Sequence, residues 1–338
     1  MALGRQFFLK AGLALGGALF GLVLLAVSAE VYLRVSNRLH RGSSFESLAD
    51  LRDSMLTREA PSSGSLDLRD IIYPNPDDHI IYELRPNLDV TFQKVPVHTN
   101  SCGMRNREVA TEKPIDVYRI ALLGDSFAFG WGVREEESFA QVLERSLNRA
   151  AQGKFKVEVL NFGVPGYSTF QEVYRFIDMG AQFNPDAVLV YFVSNDFGYP
   201  FMVRDMARPG KLLSSFEFAR LTWQAMNPDI AQQKMFLMGL DPNATLKVLS
   251  DFTRERGIQL AVAINPYQKW PKEKWRLPVL KKRNDITLIE LGVPLNQAIE
   301  ARHIPVEKLK LPTDPHPSAQ KHALIGEILA SYYLQYIR

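Results

Sequence analysis

The stretch "YRIALLGDSFAFGWG" (residues 118–132) decides the fold of this chain. Its first six residues form a largely apolar, β-type run, which stops abruptly at Gly124-Asp125-Ser126. A short apolar run that ends in a glycine turn predicts a strand buried on both faces. Ser126 follows this strand directly, and two interpretations of it are open. It either caps the next helix or is a nucleophile held at the end of the strand.

The sequence on both sides of this turn alternates between apolar runs and amphipathic stretches. Strands are predicted over 118–123, 156–161, 186–193 and 258–265, and helices over 135–152, 169–182, 244–257 and 318–335. Apolar strands that alternate with helices predict a parallel sheet covered by helices on both faces. The predicted fold class is therefore α/β, a three-layer α/β/α sandwich with a parallel sheet, preceded by an N-terminal transmembrane helix.

The transmembrane prediction rests on residues 11–29, a run of nineteen residues without a charged side chain. Such a run is long enough to cross a bilayer core as a helix. A cleavable signal peptide is the alternative, because the small residues 27–29 resemble a cleavage site. The apolar character continues through residues 31–33, which favours an uncleaved signal-anchor over 11–33. We expect the bulk of the chain to lie outside the cytoplasm, on the periplasmic or extracellular side.

Composition divides the rest of the chain into segments. We expect a short head over 1–10, the anchor over 11–33, a polar stalk over 34–70, an N-terminal extension over 71–116 and the main domain over 117–338. An insertion over 197–240 is rich in aromatic residues and methionine. It either packs as its own small cluster or forms a lid or membrane-facing flap.

Several function classes are excluded by composition and motifs. The net charge is only +3, without the basic patch of a nucleic-acid binder. Cys102 is the single cysteine, so the chain forms no intrachain disulfide and no Cys-rich metal site. A Walker loop, a dinucleotide fingerprint, a G-x-S-x-G elbow and an H-E-x-x-H motif are all missing from the sequence. We expect neither a metal nor another cofactor.

Polar residues at the predicted strand ends supply the groups that acyl transfer requires. Ligand sites in open parallel sheets form beyond the carboxyl ends of the strands. Acyl transfer needs a nucleophile, a base and donors for the developing oxyanion. Ser126 could be the nucleophile, His316 the base and Asp314 the residue that orients the imidazole. The N–H groups of Ser126 and Gly166 and the side-chain amide of Asn195 could form the oxyanion hole.

Four blocks, taken together and in order, resemble the SGNH (GDSL-type) hydrolase family. They are Gly-Asp-Ser at 124–126, Asn-x-Gly-x-x-Gly at 161–166, Asn-Asp at 195–196 and Asp-Pro-His-Pro at 314–317. The resemblance covers about residues 117–338. It implies a flavodoxin-like α/β/α fold that hydrolyses or transfers esters without a metal. It also implies Ser126 as the nucleophile, Gly166 and Asn195 as oxyanion donors, and Asp314 with His316 as the remaining dyad.

The chain departs from the family pattern in two places. The last block of the family is Asp-x-x-His, whereas here Thr313 stands three residues before His316 and Asp314 stands two before it. His316 is therefore oriented either by Asp314 or by a backbone carbonyl. The anchor and the extension look more like the SGNH proteins that act on cell-envelope polysaccharides, sometimes as partners of membrane-embedded acyltransferases.

The resulting hypothesis is a membrane-anchored serine esterase or O-acyltransferase that acts on O-acyl groups, in the first place acetyl, of a cell-envelope glycan. A non-catalytic SGNH-fold subunit for binding or assembly in an envelope polysaccharide machinery is one alternative. A lipid-directed esterase is another. The expected partners are an acylated glycan or other ester substrate, the membrane and a membrane-embedded acyltransferase, and no nucleic acid.

Overall fold

The structure is a computed structural model of the 338-residue chain. It describes residues 2–40, 52–53, 55–56, 66–197, 216, 218–219, 222, 226, 241–264 and 277–335. The chain divides into two compact units. One comprises residues 1–45 and 205–233, and the other comprises residues 46–204 and 234–338.

The described residues form short antiparallel strand pairs, one parallel sheet and a set of helices. The strands are β1 (Ile72–Pro74), β2 (Tyr82–Leu84), β3 (Asp89–Phe92), β4 (Val95–His98), β5 (Val117–Leu123), β6 (Lys156–Asn161), β7 (Ala187–Phe192), β8 (Gln259–Ile264), β9 (Ile286–Glu290), β10 (Lys310–Leu311) and β11 (Asp314–Pro317). The α-helices are α1 (Ala2–His40), α2 (Ser126–Phe129), α3 (Phe139–Ala151), α4 (Thr169–Asp178), α5 (Pro242–Glu255), α6 (Val279–Lys282), α7 (Gly292–Ala301) and α8 (Ala319–Tyr333). The 3₁₀ helices are Leu68–Asp70, Glu135–Glu137, Gly180–Phe183, Ser194–Phe197 and Val306–Leu309.

The parallel sheet has the strand order β6-β5-β7-β8-β9, and each neighbouring pair is parallel. In chain order this is 2-1-3-4-5, the flavodoxin-like arrangement. The first strand of the sheet, β5, therefore lies between the second and the third. The point where the strand order reverses is the usual place for a ligand site in such sheets, beyond the carboxyl ends of the strands. Here it lies at the ends of β5 and β7.

Two hydrophobic cores lie on the two faces of this sheet. One contains Ile120 and Leu122 of β5 and is covered by α3, α7 and α8. The other contains Ala121 and Leu123 and is covered by α4, α5 and α6. Successive residues of a strand point to opposite faces, so β5 contributes to both cores and is buried on each. The predicted three-layer α/β/α sandwich is confirmed.

The structure differs from the sequence prediction in several elements. The predicted helix over 135–152 begins as a 3₁₀ turn, after which Ser138 caps α3 by accepting a hydrogen bond from the N–H of Gln141. The fifth strand of the sheet, β9, was not predicted. It is an edge strand in which only Ile286 and Ile289 are buried, so it lacks the continuous apolar pattern of β7 and β8.

The unit with the N-terminus contains α1, of which residues 16–34 are long and apolar enough, by length and composition, to cross a membrane. The side chains of this segment are largely exposed. The helix continues to His40, past the predicted end of the anchor at residue 33. Most of the predicted stalk (34–70) and of the insertion (197–240) lies outside the described residues.

Candidate active site

Ser126 stands at a sharp strand-to-helix turn, as its position after β5 predicted. It is the first residue of the short helix α2, and the side chain of Asp125 caps this helix by accepting a hydrogen bond from the N–H of Phe127 at 2.9 Å. The turn passes so close to Ala128 that position 124 requires glycine, because a Cβ there would lie 2.6 Å from the Cβ of Ala128. The first N–H groups of a helix have no acceptor within the helix. The N–H of Ser126 is therefore suited to meet an anion.

His316 lies against Ser126 although 190 residues separate them in the chain. Its Nε2 atom is 2.8 Å from the Oγ atom of Ser126, a hydrogen-bond distance. The side chain of Ser126 is almost entirely buried, whereas that of His316 is 20% exposed. The described geometry thus joins a hydroxyl to an imidazole at the solvent boundary, which is the arrangement of an activated nucleophile.

Asp314 contacts the other side of the same imidazole. Its Oδ1 atom contacts Nδ1 of His316 and accepts a hydrogen bond from the backbone N–H of His316 at 2.8 Å. The two residues lie in strand β11, where residues i and i+2 point to the same side. A spacing of two residues therefore brings carboxylate and imidazole together on a strand. Thr313, which stands where the family pattern has its aspartate, is exposed.

The surroundings of Asp314 favour its ionised form. Partial burial alone would raise the pKa of this carboxyl group. Hydrogen bonds from the backbone and side chain of His316, the charge of that imidazole and the indole N–H of Trp131 outweigh burial and hold the pKa below its usual range. An ionised carboxylate in this place can stabilise an imidazolium when His316 takes up a proton.

Asn195 lies in the 3₁₀ turn that follows β7. Its Nδ2 atom donates a hydrogen bond to Oδ2 of Asp125 at 2.8 Å, so the amide is fixed beside the turn that carries Ser126. Each side-chain amide nitrogen carries two donor hydrogens, and this bond uses one of them. Burial raises the pKa of Asp125, against hydrogen bonds from Phe127, Asn195 and Ser126 that lower it.

Gly166 lies in the loop after β6, with a φ of +81° in the left-handed region that favours glycine. The loop is anchored at two points. The N–H of Val164 donates to the carbonyl oxygen of Gly124 at 3.1 Å, and the hydroxyl of Tyr82 donates to the carbonyl oxygen of Pro165 at 3.1 Å. The first bond holds the loop against the Ser126 turn, and the second ties it to β2 of the N-terminal extension.

Two buried carboxyl groups lie on the Asn195 side of the site. The sequence assigned neither a role, although one of them, Asp196, belongs to the Asn-Asp block. Asp196 and Glu172 are almost completely buried. Desolvation raises the pKa of each well above its usual value, and the nearness of the two groups to each other and to Asp125 adds to the shift of Glu172. Asp196 accepts a hydrogen bond from the N–H of Val193 at 2.6 Å. Burial therefore favours the protonated form of both carboxyl groups.

Trp131 is a further residue of the site, and no pattern in the sequence indicated it. Its ring is stacked on the imidazole of His316, with centroids 5.1 Å apart and an interplanar angle of 20°. Its Nε1 atom donates to Oδ2 of Asp314 at 3.2 Å. Within the described residues, no group of three or more His, Cys, Asp or Glu side chains is arranged to hold a metal ion.

A comparison with protein-family models identifies one family for this chain. A family model described as "GDSL-like Lipase/Acylhydrolase family" matches residues 122–324, more than half of the chain. No curated protein sequence matches significantly.

Several solved structures are similar to this chain. A two-domain esterase active on acetylated mannans is 16% identical with a TM-score of 0.43, and the match covers 65% of this chain and 49% of that one. A psychrotrophic esterase from Pseudoalteromonas sp. is 15% identical with a TM-score of 0.41, covering 65% of this chain and 98% of that one. A lipase/acylhydrolase from Enterococcus faecalis is 15% identical with a TM-score of 0.38, covering 65% and 97%. The matched region spans about half the length of the two-domain esterase.

Proposed function

The chain belongs to the GDSL-like lipase/acylhydrolase family, and from that premise we propose that it is a membrane-anchored serine esterase or O-acyltransferase. In this proposal it acts outside the cytoplasm on O-acyl groups, in the first place acetyl, of a cell-envelope glycan. The observation that carries the proposal is the 2.8 Å distance between Oγ of Ser126 and Nε2 of His316.

The proposed reaction begins when Nε2 of His316 takes the proton of the Ser126 hydroxyl. The Oγ atom then attacks the acyl carbon of the ester, and the electron pair of the C=O bond moves to its oxygen. The resulting oxyanion is received by the N–H groups of Ser126 and Gly166 and by the amide of Asn195. One such donor typically contributes about 2.7–4 kcal/mol to transition-state stabilisation.

The tetrahedral intermediate collapses when the bond between the acyl carbon and the sugar oxygen breaks. The imidazolium of His316 returns its proton to that oxygen, and the acyl group remains on Ser126 as an ester. In a hydrolase, water gives up a proton to His316 and takes the acyl group from Ser126. In a transferase, a second sugar hydroxyl gives up the proton and takes the acyl group. Asp314 stabilises the imidazolium during both half-reactions, which is consistent with its lowered pKa.

Two features support the parts of the proposal that concern the size of the acyl group and the location at the membrane. Ser126 is only 8% exposed, and a hydroxyl so nearly enclosed favours a small acyl group over a long chain. Residues 16–34 of α1 could cross a membrane by length and composition, and they precede the remainder of the chain. An enzyme anchored in this way would meet substrates at the cell envelope.

The test is the turnover of p-nitrophenyl acetate by the full chain in detergent, compared with that of Ser126→Ala. We expect turnover by the wild type and none above background in the variant. Ser331→Ala, which changes an exposed serine on α8, serves as the matched control and should behave like the wild type. Equal rates for wild type and Ser126→Ala would contradict the proposal. Faster turnover of a p-nitrophenyl ester with a long acyl chain would point to a lipid-directed esterase instead.

A further inference from the structure

We propose that Trp131 is a positioning residue that fixes the Asp314 carboxylate and, through it, the imidazole of His316. The inference rests on the proposed function, in which His316 is the base. It assigns a role to a side chain that lies between the Ser126 turn and strand β11.

The indole contacts both members of the Asp-His pair at once. Its Nε1–H donates to Oδ2 of Asp314, while Oδ1 of the same carboxylate faces the backbone N–H and Nδ1 of His316. Both carboxylate oxygens of Asp314 are therefore engaged, each by a different partner. The flat face of the indole lies on the imidazole, with 5.1 Å between the ring centroids.

The exposed position of the Asp-x-His pair leaves room for such a contact to act. Asp314 and His316 lie on a four-residue strand at the surface, and their side chains are 28% and 20% exposed. Water competes for a carboxylate in this position, and the contacts from within the strand reach only its Oδ1 atom. A donor to the second oxygen fixes the plane of the carboxylate, and the stacked ring fixes the plane of the imidazole.

Trp131 is itself held by the glycines on either side of it. Gly130 and Gly132 have φ values of +85° and +70°, which residues other than glycine rarely adopt. A Cβ on Gly132 would lie 2.4 Å from a methyl group of Leu311, the residue paired with Asp314 in the β10–β11 ladder. The Gly-Trp-Gly loop is thus packed directly against the strand pair that carries Asp314.

The loop and the indole are also fixed from the other side. The buried guanidinium of Arg105 donates to the carbonyl oxygens of Phe129, Gly130 and Val133 at 3.0, 2.6 and 2.8 Å. Phe92 of β3 meets the Trp131 ring edge-on at 4.9 Å. A side chain held in this way has little freedom to move, as positioning requires.

The variant that tests this role is Trp131→Phe in the full chain, because it retains a ring over His316 but removes the N–H donor. We expect kcat for p-nitrophenyl acetate to fall roughly 10- to 100-fold, since a small misplacement of a catalytic group has an effect of this order. KM should stay within about twofold. Trp131→His is the rescue variant, because imidazole Nε2 occupies nearly the place of indole Nε1. Measured above pH 8, where the added imidazole is neutral, it should regain part of the lost kcat.

A second readout does not depend on turnover. The Nδ1 proton of His316, held by Asp314, should give a low-field proton resonance that Asp314→Asn abolishes. We expect Trp131→Phe to weaken or shift this resonance while the ring signals of His322, a buried imidazole in the same domain, stay unchanged. An unchanged kcat together with an unchanged resonance would overturn the inference, and so would a change that extends equally to His322. If the wild type lacks turnover, the proposed function fails, and the resonance still decides the role of Trp131.

Discussion

Asp314 and Asp196 carry the same side chain on the two sides of the candidate site, yet their surroundings shift their pKa values in opposite directions. Asp314, on the His316 side, is partly exposed, and its pKa is lowered by hydrogen bonds from His316 and Trp131. Asp196, on the Asn195 side, is buried, and desolvation raises its pKa well above the usual value. The two residues are of the same type, so the difference between their pKa values comes from the number of hydrogen-bond donors and the access to water.

This contrast suggests a division of roles around Ser126. A carboxylate that stays ionised can balance the positive charge that His316 acquires during catalysis. A carboxyl group that stays protonated adds no negative charge near the place where the oxyanion forms. An ionised Asp196 or Glu172 would oppose that oxyanion, so burial of this pair is compatible with the proposed reaction.

The largest effect is expected when each aspartate is neutralised in turn. Asp314→Asn removes a charge that the proposed mechanism uses, and we expect kcat to fall roughly 10³- to 10⁴-fold. Asp196→Asn is the matched variant, with the same change of atoms at a group whose protonated form is favoured by burial. It should keep kcat within a few-fold of the wild type. Turnover of p-nitrophenyl acetate at one pH measures both. Equal losses in the two variants would show that charge state does not distinguish the two sides.

A smaller effect is expected on the free energy of unfolding. A carboxyl group whose pKa is raised in the folded state binds a proton that the unfolded chain has released. Its contribution to stability is complete below the unfolded pKa and is lost as the pH rises towards the folded pKa. The slope is about 1.4 kcal/mol for each pH unit and each group in that window. The free energy of unfolding of the wild type should therefore contain a component that falls above pH 5 because of Glu172 and Asp196.

Glu172→Gln tests this component, since glutamine has the shape of a protonated glutamic acid and does not titrate. Denaturant unfolding of the full chain between pH 5 and 9 should show a flatter pH dependence in the variant than in the wild type. The matched control is Glu136→Gln, which changes a glutamate that is 65% exposed, and it should leave the slope unchanged. A slope in Glu172→Gln as steep as that of the wild type would mean that Glu172 is ionised when folded.

The fold was accessible from sequence wherever a strand is buried on both faces. The runs that became β5, β7 and β8 are largely apolar, because each contributes side chains to the two cores. The run that became β6, Lys-Val-Glu-Val-Leu-Asn, alternates polar and apolar residues over its first four positions. The edge strand β9 has one half-exposed face, so its residues do not form such a run. The strand pair β10–β11 is too short and too rich in proline to be recognised from periodicity.

The candidate site could be predicted from the sequence in part, because some of its residues lie next to predicted strands and helices. Ser126 and Asn195 follow strands that the alternating pattern locates, and His316 precedes the last predicted helix. The ordered motifs strengthen each of the three assignments. Trp131 and Glu172 give no such signal. Trp131 acts through a contact with a residue 183 positions further along the chain. Glu172 has the sequence character of an ordinary polar residue in the first turn of a helix, and only the packing of α4 buries it.

The central claim is that Ser126 is a nucleophile activated by His316, and the most direct measurement is covalent labelling of the full chain with a fluorophosphonate probe. Mass spectrometry of the peptides then locates the label. We expect one label, on Ser126, with a labelling rate that falls sharply in His316→Ala. An unlabelled Ser126 in the folded wild type would contradict the claim and favour a non-catalytic subunit that retains this fold.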